Sequence, residues 1–87
     1  MKQELEWRPA EWSENAAAKN LPAFEAEVPG GKYRAAGVVY TDWSNGYEVF
    51  FIPDGAKSMA DVRDIQDQLA SIDEAKNIAG RDWAAQP

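Results

Sequence analysis

The chain has no histidine and no cysteine among its 87 residues. Histidine is the one side chain whose ordinary pKa lies near neutral pH, and the cysteine thiolate is a strong nucleophile. The same two residue types are the main ligands of zinc, copper and iron. A domain of this size also has little room for a cleft lined by other catalytic groups. We therefore expect a protein that is not an enzyme and that holds no metal and no cofactor.

Long apolar runs are also missing. No stretch approaches the about 18 apolar residues of a membrane span, and residues 1–4 open the chain without an apolar signal segment. We expect a protein without a membrane segment or signal peptide, located in the cytoplasm, where the lack of cysteine fits a reducing environment.

Acidic residues are abundant. Fifteen aspartates and glutamates against nine lysines and arginines give a formal charge of −6, beside 45% apolar and 11% aromatic residues. This composition predicts one folded domain over residues 1–87. The charge argues against direct nucleic-acid binding and favours a protein partner with a basic surface, unless it serves solubility alone.

Residues 1–20 form the least regular segment. Pro9 interrupts any long helix, and Ser13 before an alanine-rich run predicts a short capped helix. Trp7 and Trp12 are large apolar anchors. We expect this segment to cover part of the fold with its tryptophans.

Residues 21–53 predict a three-stranded antiparallel β-meander, because alternating and aromatic segments are separated by turn sequences. The Asn45-Gly46 pair is favoured by type I′ hairpin turns. With these two residues as the loop, Tyr40 lies opposite Phe51.

Neither face of this hairpin is purely polar. Val49 and Phe51 lie on one face, and Phe50 and Ile52 on the other. Both faces therefore need cover. We expect C-terminal helices to cover one face, and the N-terminal segment or a partner protein to cover the other.

Residues 58–85 predict the helical part. Met59, Val62, Ile65 and Leu69 keep helical spacing, which indicates a first helix. The capping-box sequence Ser71-Ile72-Asp73-Glu74 then indicates a second. The predicted fold is α+β: a three-stranded antiparallel β-meander packed by one or two C-terminal α-helices, with an irregular or short helical N-terminal segment.

Three segments occur in an order that resembles small phage and prophage proteins: LPAFEAEVPGGKYRA at 21–35, GYEVFF at 46–51 and SIDEAKNIAGRDW at 71–83. These correspond to the YR-type strand, the G-Y-x-V strand and the S-[LI]-[ED]-E-A-K helix of such proteins. The resemblance implies a meander with a packed C-terminal helix and a mobile-element origin. It implies no activity. Residues 57–70 look like an insertion relative to the shorter pattern.

Asp61, Asp64 and Asp67 recur every three residues on the first predicted helix. Carboxylates at this spacing are close enough to share a hard cation, or to present an acidic surface that occupies a nucleic-acid channel of a partner. An ordinary solvated helix face has the same pattern. We take the three aspartates as candidate partner-binding residues and expect no metal site.

Asp42 and Trp43 precede the predicted turn, so both should project from the end of the hairpin. An exposed tryptophan there would be a binding anchor. The alternative is that Trp43 packs across the strands over Phe50. We include Asp42 and Trp43 among the candidate partner-binding residues.

Together these features predict a non-enzymatic phage or prophage protein that acts by protein–protein interaction in the host cytoplasm. A concrete form of this function is inhibition of a host defence complex such as CRISPR. Two alternatives stay open: a nucleic-acid-binding accessory protein, and a homo-oligomeric structural protein, for instance a homodimer, without a ligand.

Overall fold

A computed structural model describes residues 4–10 and 21–86 and has an α+β fold. One five-stranded antiparallel sheet has its strands in chain order, and one C-terminal helix packs on it. The elements are β1 (Arg8–Pro9), β2 (Ala23–Val28), β3 (Gly31–Val39), β4 (Asn45–Pro53), a 3₁₀ turn (Met59–Asp61), β5 (Arg63–Leu69) and α1 (Ile72–Ala85). The predicted fold class is therefore confirmed, but the sheet has two more strands than the predicted meander.

The connection between β3 and β4 differs from the predicted hairpin. Val39 lies opposite Asn45, so Asn45 and Gly46 belong to β4 and the loop spans residues 40–44. The predicted type I′ turn is wrong. Gly46 is needed for close packing instead, since a Cβ there would lie 2.8 Å from the ring of Tyr40.

The predicted first C-terminal helix is also wrong, because residues 63–69 form β5 at the edge of the sheet. Ile65 and Leu69 pack against the core as predicted, but from a strand. Register shifts against β4, near Val49, interrupt the strict alternation of β5. Ile65 and Leu69 stand four apart, a spacing that puts two residues on one face of a strand as well as of a helix, and Asp67 between them is exposed.

The second predicted helix is confirmed as α1. Ser71 is its N-cap, and its hydroxyl accepts a hydrogen bond from the Glu74 N–H at 3.2 Å. The Glu74 carboxylate accepts from the Ala70 N–H at 3.2 Å, one residue before the position expected in a capping box. Buried Ala75 and Ala79 let the helix lie close to the sheet. No helix in the described ranges is long and apolar enough to cross a membrane.

The main core lies between α1 and one face of the sheet. Trp7 packs on this cluster, so the expectation that it covers the opposite face is wrong. The ammonium of Lys76 on α1 lies 6.0 Å from the Trp7 ring centroid and 3.8 Å from that of Phe24. Trp12 and the predicted helix after Ser13 lie outside the described residues. The buried residues of this cluster are Tyr33, Ala35, Val49, Leu69, Ala75 and Ala79.

The face opposite α1 also contains buried residues. Arg34 is only 4% exposed, and its guanidinium donates to the Glu25 carboxylate on the neighbouring strand at 2.7 Å. Phe50 lies opposite Arg34 on β4 and is buried too. Both faces of the sheet therefore contain buried residues, and the second has a charge-assisted pair between buried Arg34 and partly buried Glu25.

Candidate interaction site

The β3–β4 loop is held in one shape by hydrogen bonds. The Tyr40 N–H donates to the Ser44 carbonyl and the Trp43 N–H to the Tyr40 carbonyl, both at 2.9 Å. The Asp42 carboxylate oxygen Oδ1 accepts from the Ser44 N–H at 3.0 Å and from its hydroxyl at 2.5 Å. The last two bonds form an Asx turn. The loop is therefore ordered by its own polar groups.

Trp43 stands at the tip of this loop and is 81% exposed. It is the one exposed large hydrophobic side chain among the described residues. The alternative that Trp43 packs over Phe50 is therefore excluded. Its φ of 66° lies in the left-handed region, which is unfavourable for a bulky residue. The loop thus holds an aromatic side chain in solvent in a strained backbone conformation.

Gln68 near the end of β5 has the second unusual backbone. Its φ is 56°, and its N–H donates to the Tyr40 hydroxyl at 2.7 Å. Trp43 and Gln68 are the two non-glycine residues with positive φ in the described part of the chain. Such residues concentrate at functional sites. Here Trp43 lies at the tip of the β3–β4 loop, and Gln68 lies where the base of that loop meets β5.

A groove of about 760 Å³ lies at this meeting point, and we refer to it as the loop–strand groove. Asp42 is the sole charged residue among those described residues that line it. Hydrogen bonds from Ser44 lower the pKa of the Asp42 carboxyl, so it is ionised at neutral pH. Both hydrogen bonds from Ser44 go to the Oδ1 atom of this carboxylate. The lining residues are Val39, Tyr40, Thr41, Asp42, Ser44, Asn45, Gly46, Gln68, Leu69 and Ala70.

The three predicted aspartates do not share a helix. Asp64 and Asp67 lie on β5 and line a smaller groove together with Glu48. Asp61 lies in the 3₁₀ turn before β5, where its carboxylate accepts the Lys57 N–H at 3.0 Å. The structure therefore places two of them together on the edge strand and separates the third. Within the described residues, no three acidic side chains could hold a metal ion.

A polar cluster between the sheet and α1 was not predicted. The hydroxyl of buried Tyr33 donates to Asp82 at 2.5 Å, and Arg63 forms two hydrogen bonds with the same carboxylate at 2.7 and 3.1 Å. Gln86 donates to the Tyr33 hydroxyl at 2.7 Å and to Asp82 at 3.0 Å. These bonds join β3, β5 and the end of α1.

The protonation of this cluster follows from its contacts. Hydrogen bonds from Arg63 lower the pKa of Asp82 to about 2, and burial raises the pKa of the Tyr33 hydroxyl far above its usual range, with Asp82 adding to the shift. Asp82 is therefore ionised and Tyr33 neutral at physiological pH. With the Asp82 carboxylate shared among three partners, we interpret the cluster as structural.

Sequence reasoning also missed Tyr40 and Gln68 as parts of the groove. Tyr40 was placed in a strand by the predicted Asn45-Gly46 turn, and Gln68 was placed on a helix. Only the pairing of β5 with β4 brings them together. No family model, curated protein or solved structure matches the chain.

Proposed function

We propose that the protein acts by binding another protein, with Trp43 as the central anchor of the interface. The supporting observation is the 81% exposure of this indole on a hydrogen-bonded loop. Tryptophan is among the residues most enriched at binding hot spots. Burying an indole of about 200 Å² against a partner contributes roughly 5 kcal/mol before the costs of association.

The order of the loop supports this role. Association costs free energy when loops and side chains become fixed, and a loop fixed beforehand avoids part of that cost. The Asx turn at Asp42 and the bonds between Tyr40 and Ser44 fix the backbone around Trp43. A left-handed tryptophan in solvent gives the isolated protein no evident packing benefit. We infer that its benefit lies in a complex.

Charge supports a partner with a basic surface. The chain carries a formal charge of −6, and Asp42, Asp64 and Asp67 are all exposed. The negative potential of these charges accelerates the encounter with a positively charged protein and opposes the approach to nucleic-acid phosphates. A nucleic-acid accessory role is therefore the weaker candidate.

The finer form of the proposal is that a phage or prophage product inhibits a host defence complex such as CRISPR. The acidic edge of β5 would then face a basic surface that otherwise holds nucleic acid. This part of the proposal rests on the resemblance of the sequence and on the sign of its charge. The identity of a captured protein tests it, since a defence nuclease supports inhibition and an unrelated protein contradicts it.

The protein-binding proposal is tested by capture from a bacterial host lysate with the immobilised full chain. We expect a protein retained by the wild type to be lost with Trp43→Ala, because hot-spot truncation costs about 2 kcal/mol or more, equivalent to at least about thirtyfold in affinity. Lys57→Ala, exposed beyond the end of β4 that is opposite the loop, is the control.

Retention of the same protein by Trp43→Ala and the wild type would contradict the proposed anchor. Light scattering of the purified protein tests the alternative of a homo-oligomer. A stable homodimer that buries Trp43 would replace the external partner with a second copy. A mobility shift of generic DNA or RNA in a gel with the protein would instead support the nucleic-acid role.

A further inference from the structure

We propose that the loop–strand groove receives a basic side chain, arginine or lysine, from an extended segment of the partner protein, with Asp42 as its counter-ion. This inference rests on the proposed protein-binding function and specifies the chemistry of the partner. Two features meet at the groove, the strained Gln68 and the one carboxylate in its lining, and the exposed Trp43 stands in the chain between the lining residues Asp42 and Ser44.

The charge of the groove selects a cation. Asp42 lines it as an ionised and exposed carboxylate, and both bonds from Ser44 go to its Oδ1. A second carboxylate lies beside the groove, since Glu74 accepts a hydrogen bond from the backbone of Ala70, a lining residue. A guanidinium or ammonium group would therefore enter a negative potential.

The walls suit the aliphatic stem of such a side chain. Val39 and Leu69 supply apolar surface. The Tyr40 ring is fixed because its hydroxyl accepts a hydrogen bond from the Gln68 N–H. Arginine and lysine bury their methylene groups along apolar surfaces while the charged end contacts a polar group. The groove offers both kinds of contact within one volume of about 760 Å³.

Backbone strain supports a site rather than an incidental depression. Left-handed conformations of non-glycine residues cost free energy and persist where the surrounding structure fixes them. Trp43 is held by the loop hydrogen bonds, and Gln68 by the Tyr40 hydroxyl. The fold therefore maintains one unfavourable residue in the groove lining and a second at the tip of the adjoining loop. The same contacts set the position of Asp42 relative to β5.

The test is a titration of the ¹⁵N-labelled full chain, followed by amide chemical shifts. The probe is an acetylated and amidated pentapeptide with valine at positions 1, 3 and 5 and arginine at positions 2 and 4. The same peptide with citrulline replaces the charge by a neutral isostere, and the peptide with glutamate reverses it. We expect saturable shifts at residues 40–46 and 68–70 with the arginine peptide alone, weakening as salt increases.

Asp42→Asn separates the charge from the loop structure. Asparagine can still accept the two bonds from Ser44, so the Asx turn is kept while the counter-ion is lost. We expect about a threefold or greater loss of affinity for the arginine peptide, the scale of an exposed ion pair. Asp54→Asn removes the same charge from the turn after β4, at the opposite end of that strand from the β3–β4 loop. It should leave the affinity for the arginine peptide unchanged.

Three results would overturn the groove proposal: equal binding of the arginine and citrulline peptides, equal affinity of Asp42→Asn and Asp54→Asn, or shifts confined to other surfaces. The outcomes also separate the two proposals. If Trp43→Ala abolishes protein capture but the arginine peptide does not bind, Trp43 remains an anchor and the groove proposal fails. If the peptide binds but Trp43→Ala captures normally, the proposed anchor fails.

Discussion

At the residue scale, the Asp82 carboxylate accepts four hydrogen bonds from three side chains. These are Tyr33, Arg63 and Gln86, which belong to β3, β5 and the end of α1. A charge-assisted hydrogen bond contributes about 1.5–3 kcal/mol, more than a typical neutral one. The Tyr33 ring also contacts Phe51 and Trp83 edge-on, with centroids 5.0 and 6.5 Å away. Asp82 therefore connects the helix end to the aromatic core.

Asp82→Asn should lower the free energy of unfolding at neutral pH by about 1–3 kcal/mol, because Arg63 and Tyr33 lose a charged acceptor. The pKa of Asp82 is lowered to about 2 in the folded protein from 3.8. Its stabilising effect is therefore present above about pH 4 and lost as pH falls toward 2. Urea unfolding between about pH 2 and 7 should show the wild type and variant converging at acid pH. A gap independent of pH would contradict this role, and exposed Asp64→Asn is the control.

Trp43→Asn should make the isolated protein more stable, by about 0.5–1 kcal/mol, because asparagine tolerates the left-handed region better than tryptophan. The lost indole contacts are few, since the side chain is 81% exposed. Urea unfolding followed by circular dichroism measures this change without relying on tryptophan emission. Trp43→Phe, which keeps an aromatic residue in the strained conformation, should show no such gain. A loss of stability in Trp43→Asn would mean that the indole serves the fold.

At the element scale, the elements with local signals were predictable. The cap at Ser71 identified α1, and the alternation after Leu21 identified β2. The strand β5 could not be identified, because Ile65 and Leu69 have a spacing that fits a helix as well as a strand, and the polar Asp67 between them breaks the apolar alternation. The Asn45-Gly46 pair also led to a wrong prediction, that of a hairpin turn. Gly46 is required by packing against the Tyr40 ring, a contact between residues that a turn rule does not consider.

The edge strand β5 predicts a second effect at this scale. Exposed edges can pair with other chains, and charges and bulges oppose such pairing. Asp64 and Asp67 are exposed on β5, and register shifts lie along its pairing with β4. Replacing both aspartates with valine should produce concentration-dependent oligomers in light scattering, whereas replacing both with asparagine should leave more monomer. Equal oligomer formation by both variants would show that charge alone protects the edge, and two monomeric variants would show that these aspartates do not protect it.

At the scale of the whole molecule, the stabilising polar clusters and the proposed binding region occupy different places. The polar cluster around Asp82 and the pair of Arg34 with Glu25 stabilise opposite sides of the sheet. The loop–strand groove and Trp43 lie at the end of the sheet where β3 leads into β4. Sequence alone named Asp42 and Trp43 as candidates, from an exposed aromatic near a turn. It could not find the groove, which exists only because β5 pairs with β4.

The central claim is that Trp43 is retained for binding and not for folding. Trp43→Asn tests it most directly when its stability and its capture of the host protein are measured on the same preparation. We predict a protein that unfolds at a higher urea concentration than the wild type and yet fails to retain the partner. Full retention of the partner by this folded variant would contradict the claim.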